Sequence, residues 1–160
     1  MVRFEYSNVL DIKDGIICHQ VNCADRMGSG VAKQIINKWP TVTEDYHTFI
    51  MDCAGIKDLL GRVHFCFVEE NIMVCNMFSQ RNYGYDGKRY TNYEAFANCL
   101  ERIRDCGIIG TIHFPFGIGC GLGGANWDII LNMIEVILKD KDVVIHVREE
   151  DVEKYKEGIK

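Results

Sequence analysis

Several things are scarce in this 160-residue chain, and each scarcity narrows the possibilities. There are only two prolines, Pro40 and Pro115, and no Pro- or Ser-rich stretch that would read as a linker. No internal repeat is present, which excludes a solenoid or propeller. No apolar run approaches the length needed to cross a bilayer, and Met1-Val2-Arg3-Phe4-Glu5 carries no signal-peptide pattern. An intracellular, cytoplasmic protein that makes no membrane contact is therefore expected. Positive charge is also short: 18 Lys and Arg stand against 23 Asp and Glu, a net charge of −5. That balance disfavours a broad phosphate-tracking surface for nucleic acid. Cysteine is plentiful, at eight, but C-x-x-C pairs are missing. The thiols sit mostly in apolar runs, which predicts buried free cysteines rather than a disulfide framework or a zinc site. A metal set from Cys18, His19 and Cys23 lacks a matching second pair, so no metal ligands and no cofactor are assigned.

The composition is otherwise ordinary for a globular protein, with 48% hydrophobic and 26% charged residues, and the length suits one domain spanning residues 1–160. Strand and helix patterns alternate. Strands are predicted over Val2 to Tyr6, Gly15 to Val21, Arg62 to Val68, Ile72 to Phe78, Thr111 to Phe116 and Val143 to Val147, with a hairpin around Glu69-Glu70-Asn71. Val31, Ile35 and Trp39 share a helical face, and Pro40 interrupts or restarts that helix before Val42 to Met51. Thr91-Asn92-Tyr93-Glu94 matches a capping box with Thr91 as the cap of a helix over Asn92 to Arg104. Asn126 is an N-cap for a helix whose apolar stripe is Trp127, Ile130, Leu131, Ile134 and Leu138, and Asp151 to Glu157 suggests a terminal helix. The order predicts a three-layer α/β/α domain with helices on both faces of one sheet.

Glycine, with 15 residues, is concentrated in two turns that each join an apolar strand to a helix. The first is His19-Gln20-Val21-Asn22-Cys23-Ala24-Asp25-Arg26-Met27-Gly28-Ser29-Gly30-Val31; the second is Pro115-Phe116-Gly117-Ile118-Gly119-Cys120-Gly121-Leu122-Gly123-Gly124. Such turns bring backbone N–H groups close to an anion, often beside a helix N-terminus. Two of them point to a ligand with two phosphates, or a phosphate and a sugar. Gly119-x-Gly121-x-x-Gly124 fits the dinucleotide spacing, but only one helix, one strand and a tail follow it, which is the wrong setting for a nicotinamide-cofactor domain. The Asn22 amide is placed to fix a ribose hydroxyl or the loop itself.

These segments, together with Asn76-Met77-Phe78-Ser79-Gln80 and Tyr83-Gly84-Tyr85-Asp86-Gly87-Lys88-Arg89-Tyr90, resemble the macro domain family of ADP-ribose-binding modules. The likeness is to the branch of the terminal ADP-ribose protein glycohydrolase and the yeast ADP-ribose 1″-phosphate phosphatase, with bacterial and phage members. It implies a mixed central sheet and a ligand set of Asn22, Met27, Gly28, Ser29, Gly30 and Val31 along the distal ribose. Gly117, Ile118, Gly119, Cys120, Gly121 and Leu122 would wrap the diphosphate and distal ribose, and Gln80 joins the ligand-binding set. Asn8 falls where many relatives carry an aspartate that touches adenine. Gln80 and Gly123 stand where the glycohydrolase subtype has its lysine and aspartate, and neither can do that acid–base or adduct chemistry. His19 matches a histidine of the phosphatase-like members and is the main catalytic candidate, with Asp25 and Asp86 as possible carboxylate partners. The implied activity is hydrolysis of a distal-ribose substituent from ADP-ribose 1″-phosphate, an O-acyl-ADP-ribose, or an ADP-ribosylated protein or nucleic acid. A non-catalytic reader of ADP-ribose and an antitoxin-like enzyme acting on nucleic acid are the alternatives.

Overall fold

A computed structural model describes residues 1–53 and 58–157. Six strands form one mixed sheet: β1 (Val2–Tyr6), β2 (Gly15–Asn22), β3 (Val63–Glu69), β4 (Ile72–Gln80), β5 (Ile112–Pro115) and β6 (Val143–Val147). Their spatial order is β1-β6-β5-β2-β4-β3. Four neighbouring pairs are parallel, and β3 alone runs antiparallel, through the expected hairpin with β4. β4 is apolar almost throughout because both of its faces are covered; Ile72 to Ser79 are all buried.

The helices are α1 (Gly30–Lys38), α2 (Thr41–Cys53), α3 (Tyr93–Asp105), α4 (Trp127–Ile137) and α5 (Val152–Glu157). On one face, Ile35 of α1, Trp39 at its C-cap, and Val42 and Tyr46 of α2 pack against Ile17, Val21, Val74 and Phe78. On the other face, Phe96, Leu100 and Ile103 of α3 and Trp127, Ile130 and Ile134 of α4 pack against Ile16, Cys18, Met77, Phe114 and Ile145. Strand alternation sends Cys18 to one core and Ile17 to the other, so a two-residue period builds both cores from one strand. The three layers follow.

Pro40 separates α1 from α2 as the pattern requires, and Asn126 caps α4 by accepting from the Asp128 N–H. The α3 cap differs from the predicted one. Asn92, not Thr91, accepts from the Ala95 N–H, and α3 begins at Tyr93. Thr91 is buried and is used elsewhere, in a tertiary contact that competes successfully with local capping. The cysteines also depart from expectation. Cys18, Cys66, Cys75 and Cys99 are buried, Cys23, Cys53 and Cys120 are partly so, and Cys106 is exposed near the end of α3.

What positions the site is the junction of β2 and β5. The chain proceeds from β2 toward β4 on one side and from β5 toward β6 on the other, so the order of strands reverses between them. Ligand crevices of α/β sheets lie at the C-terminal ends of strands flanking such a switch. β2 is in register with β4 over eight residue pairs but with β5 over two only, Ile16 with Ile112 and Ile17 with His113. Beyond Ile17 the two strands diverge.

Candidate functional site

Both glycine turns emerge on this divergence and face each other across a cleft of about 710 Å³. That size lies within the range of roughly 300–1,000 Å³ usual for small-molecule pockets. Of the residues expected to bind ligand, Asn22, Met27, Gly28, Ser29, Gly30, Val31, Gln80, Gly117, Ile118, Gly119, Cys120, Gly121 and Leu122 all line it.

The first loop is built by side chains. Asn22 Nδ2 donates to the Arg26 carbonyl at 2.8 Å, while Oδ1 accepts from the Ala24 N–H at 3.0 Å and the Arg26 N–H at 3.3 Å. The Tyr46 hydroxyl, buried in α2, donates to the Asn22 carbonyl at 2.7 Å and lies 3.0 Å from Oδ1. Of the two roles open to the Asn22 amide, fixing the loop is the one this geometry fills. Met27 tucks into the core beneath the loop, which leaves Gly28 and Gly30 facing open space: a Cβ on either would meet nothing within 4 Å. Gly30 takes φ +59°, a left-handed value that favours glycine as α1 begins. Ser29 has the extended backbone of an N-cap but makes no side-chain cap bond to α1. The first amides of α1 therefore keep their donors free of a side-chain cap at the positive end of the helix dipole.

The second loop is built by its own backbone and by exclusion. Cys120 N–H donates to the Gly117 carbonyl at 2.8 Å and Ala125 N–H to the Gly119 carbonyl at 2.9 Å. The N–H groups of Gly119, Gly121, Leu122 and Gly123 have no backbone acceptor among the described residues. A polar cluster beneath holds the loop in place. Gln20 Nε2 donates to Gln80 Oε1 at 2.6 Å and Thr91 Oγ1 at 2.8 Å, and Thr91 Oγ1 donates to the Gly119 carbonyl at 2.8 Å. Ser79 Oγ donates to Gln20 Oε1 at 2.7 Å. A Cβ on Gly123 would sit 2.6 Å from both the Gly119 carbonyl oxygen and Thr91 Oγ1, so this position admits no aspartate without rebuilding the loop. Cys120 lines the cleft with its thiol pushed up to about 12 by burial, so it is a poor nucleophile at neutral pH.

The candidate reactive groups fare less evenly. His19 is among the lining residues, but its side chain is buried. Nε2 lies 2.6 Å from Asn76 Oδ1, which makes Nε2 the protonated nitrogen, and the buried Nδ1 has no partner among the described residues. Burial lowers its pKa to about 4, against a smaller raising effect of the Asn76 hydrogen bond. At physiological pH the ring is therefore neutral, the form a base or nucleophile requires, but burial leaves it weakly basic and closed to solvent. Asp25 lies outside the cleft lining. It is the one non-glycine with positive φ among the described residues, at +61°, and its carboxylate pairs with His47 of α2 rather than lining the cleft. Asp86 also lies off the cleft wall, accepting from the Tyr90 hydroxyl at 2.9 Å and the Lys88 N–H at 3.2 Å. Asn8 is not a lining residue either: its Oδ1 caps the turn Val9–Asp11 by accepting from the Leu10 N–H at 2.9 Å. The discarded metal set fails on geometry, since Cys18 and His19 project to opposite faces of the sheet.

The sequence offered little sign of the remaining wall, formed by Arg148, Asp151, Lys154 and Glu157 at the start of and along α5. Its only trace was charge density after the last strand. Arg148 is held by Glu150 at 2.8 Å and Asp151 at 2.9 Å. Tyr155 anchors α5 from behind, with its ring centroid 5.4 Å from Phe116 and 5.3 Å from Phe4. Tyr83, Gly84 and Tyr85 line the cleft from the segment after β4.

No family model matches the chain. An uncharacterised 17.5 kDa protein from the tk–vs intergenic region of Enterobacteria phage T4 is 29% identical over 142 residues, 81% of this chain and 83% of its own length. A Bacteroides thetaiotaomicron protein of unknown function superimposes with a TM-score of 0.80 at 26% identity, over 92% of this chain and 98% of its own. A Streptomyces coelicolor macrodomain protein gives a TM-score of 0.76 at 23% identity, over 91% and 98% of the two chains. Thermosipho africanus DarTG, solved in complex with ADP-ribose, gives 0.68 at 20% identity, over 84% of this chain and 38% of its own. The six-stranded mixed sheet, its helical layers and the cleft between two glycine loops thus belong to a chain with the macrodomain fold.

Proposed function

We propose that this chain binds ADP-ribose, or an ADP-ribose derivative, in the cleft between its two glycine loops. One observation carries the reading: both loops turn backbone toward the same 710 Å³ space, one with an α1 N-terminus that lacks a side-chain cap and the other with backbone N–H groups that have no backbone acceptor among the described residues. Such donors suit a diphosphate, and they need no cationic side chain to do so. The complex of Thermosipho africanus DarTG with ADP-ribose supports the choice of ligand, since that protein shares the fold. Titration calorimetry with ADP-ribose tests it. Saturable one-to-one binding is expected, and no heat at high ADP-ribose concentration would remove the reading.

A second reading places hydrolysis on top of binding: release of a group from the distal ribose of ADP-ribose 1″-phosphate, an O-acyl-ADP-ribose or an ADP-ribosylated macromolecule. The unpartnered Nδ1 of His19, in a residue that borders the cleft, is the observation in its favour. Gln80 and Gly123 supply no acid, base or nucleophile, and favour a non-catalytic reader. Incubation with the three substrate types separates the two. Turnover that His19→Ala abolishes while ADP-ribose binding persists supports the hydrolase; tight binding without turnover of any substrate supports the reader.

A further inference from the structure

We propose that a hydrogen bond between Ser29 and Tyr85 is a clasp that closes one end of the cleft and sets its specificity, favouring ADP-ribose derivatives with a small substituent over ADP-ribosylated polypeptides. The proposal rests on the reading of the cleft as an ADP-ribose site. It begins with two hydroxyls 2.7 Å apart, Ser29 Oγ on the first glycine loop and Tyr85 Oη on the segment after β4. Both residues line the cleft, so the bond joins its walls.

Three features make this a built contact. Serine at an N-cap ordinarily accepts from an amide in the first helical turn, and Ser29 has the backbone conformation for it, with φ −143° and ψ 158°. Its hydroxyl meets Tyr85 instead. The tyrosine segment is also stiffened from within. The Tyr90 ring lies over Gly84 so closely that a Cβ there would stand 2.1 Å from the Tyr90 oxygen, and Tyr90 in turn donates to Asp86. Finally, the segment is fastened to the second glycine loop, with the Tyr90 and Thr91 N–H groups donating to the Gly123 carbonyl at 2.8 and 3.0 Å. A Cβ on Gly124 would meet the Lys88 carbonyl oxygen at 2.8 Å, so the two backbones run in contact. The arm is thus hinged on one glycine loop and latched on the other.

The consequence is steric. The arm leaves β4 directly after Gln80, and Gln80, Ser29 and Tyr85 all line the cleft. With the distal ribose along the first glycine loop, a hydroxyl, phosphate or acetyl group on it would lie beneath a closed arm. A substituent that continues as a polypeptide must pass between Ser29 and Tyr85, and so must break the bond. Opening the clasp also frees the Ser29 hydroxyl to cap α1, which lowers the cost of the open form.

The test compares wild type, Ser29→Ala, Tyr85→Phe and the double variant, reading affinity for free ADP-ribose and for a short ADP-ribosylated peptide by calorimetry. Hydrogen–deuterium exchange across residues 82–90 is followed in parallel without ligand. Each single change is expected to shift the peptide-to-free affinity ratio toward the peptide by about twofold to tenfold, the span of one exposed hydrogen bond. The double variant is expected to shift it no further than either single, because both remove the same bond. Amide exchange in the arm is expected to rise alike in all three. An unmoved ratio, or single effects that simply add, overturns the clasp while leaving ADP-ribose binding intact. Failure of wild type to bind either ligand overturns the underlying reading of the cleft, and the specificity claim with it; the exchange experiment then reports only whether the bond exists.

Discussion

The two glycine loops look alike in composition and are opposite in construction. In the first, Asn22 and Tyr46 hold the backbone by side-chain hydrogen bonds, and Gly28 and Gly30 border empty space. In the second, the backbone turns on itself, and Gly119 and Gly123 are pressed against Gln20 and Thr91. Glycine at the first loop makes room for a guest. At Gly119 and Gly123 it makes room for the protein's own polar cluster, whereas Gly121 faces open space. A count of glycines cannot separate those roles, whereas the distance to the nearest heavy atom does.

The largest effect expected from this contrast is on acid stability, because the strands feeding the two loops both carry buried histidines. On β2, His19 has its pKa lowered to about 4 by burial. Between β5 and β6, His113 Nδ1 lies 2.7 Å from His146 Nε2, and burial, then the neighbouring His113, lowers His146 to about 4. A folded-state value below the unfolded one means that the unfolded chain binds protons first. Stability is therefore full above about pH 6.5 and falls as the pH drops toward 4, with His19 alone contributing a loss of about 3 kcal/mol. Urea midpoints at pH 7.5, 6 and 5 check this, and His19→Gln should flatten the slope. A midpoint constant over that range would mean that neither strand depends on neutral imidazoles.

Next comes Gly123→Ala, which drives a methyl into the Gly119 carbonyl and Thr91. A loss of about 2 kcal/mol is expected from overpacking, read by chemical denaturation. Asn22→Ala follows, with a loss of about 1–2 kcal/mol, because the Ala24 and Arg26 amides lose an acceptor and the Arg26 carbonyl loses a donor. Raised amide exchange should be confined to residues 23–30. The smallest effect on stability belongs to Gly28→Ala, within about 0.5 kcal/mol, since the new methyl touches nothing. Its consequence is for binding: weaker ADP-ribose affinity is expected with an unchanged melting curve. If Gly28→Ala destabilised the chain as much as Gly123→Ala, the proposed division of labour would be wrong.

Much of this was visible in the sequence because it is local. The apolar strand β2, the Glu69-Glu70-Asn71 hairpin and the Asn126 cap each depend on neighbours a few residues away, and all appear where expected. What stayed hidden depends on partners far along the chain. Thr91 looked like a cap because nothing nearby reveals Gln20, 71 residues distant, as its hydrogen-bond donor. Nothing near Asp25 in the chain reveals His47 of α2 as its partner. Asn8 matched a ligand contact by position, but its own turn takes its carbonyl oxygen. The α5 wall carried no motif: Arg148 reaches the cleft from the end of β6 and Lys154 from α5, which Tyr155 packs against Phe116.

The short pairing between β2 and β5 has a mechanical meaning. Two residue pairs join a half-sheet of β1, β6 and β5 to a half-sheet of β4, β3 and β2. The seam opens at the end where the glycine loops stand. A diphosphate gripped by both loops would act as a suture across that seam, so occupancy should make the two halves unfold together and slow the breathing of Cys18 to Val21 along β2.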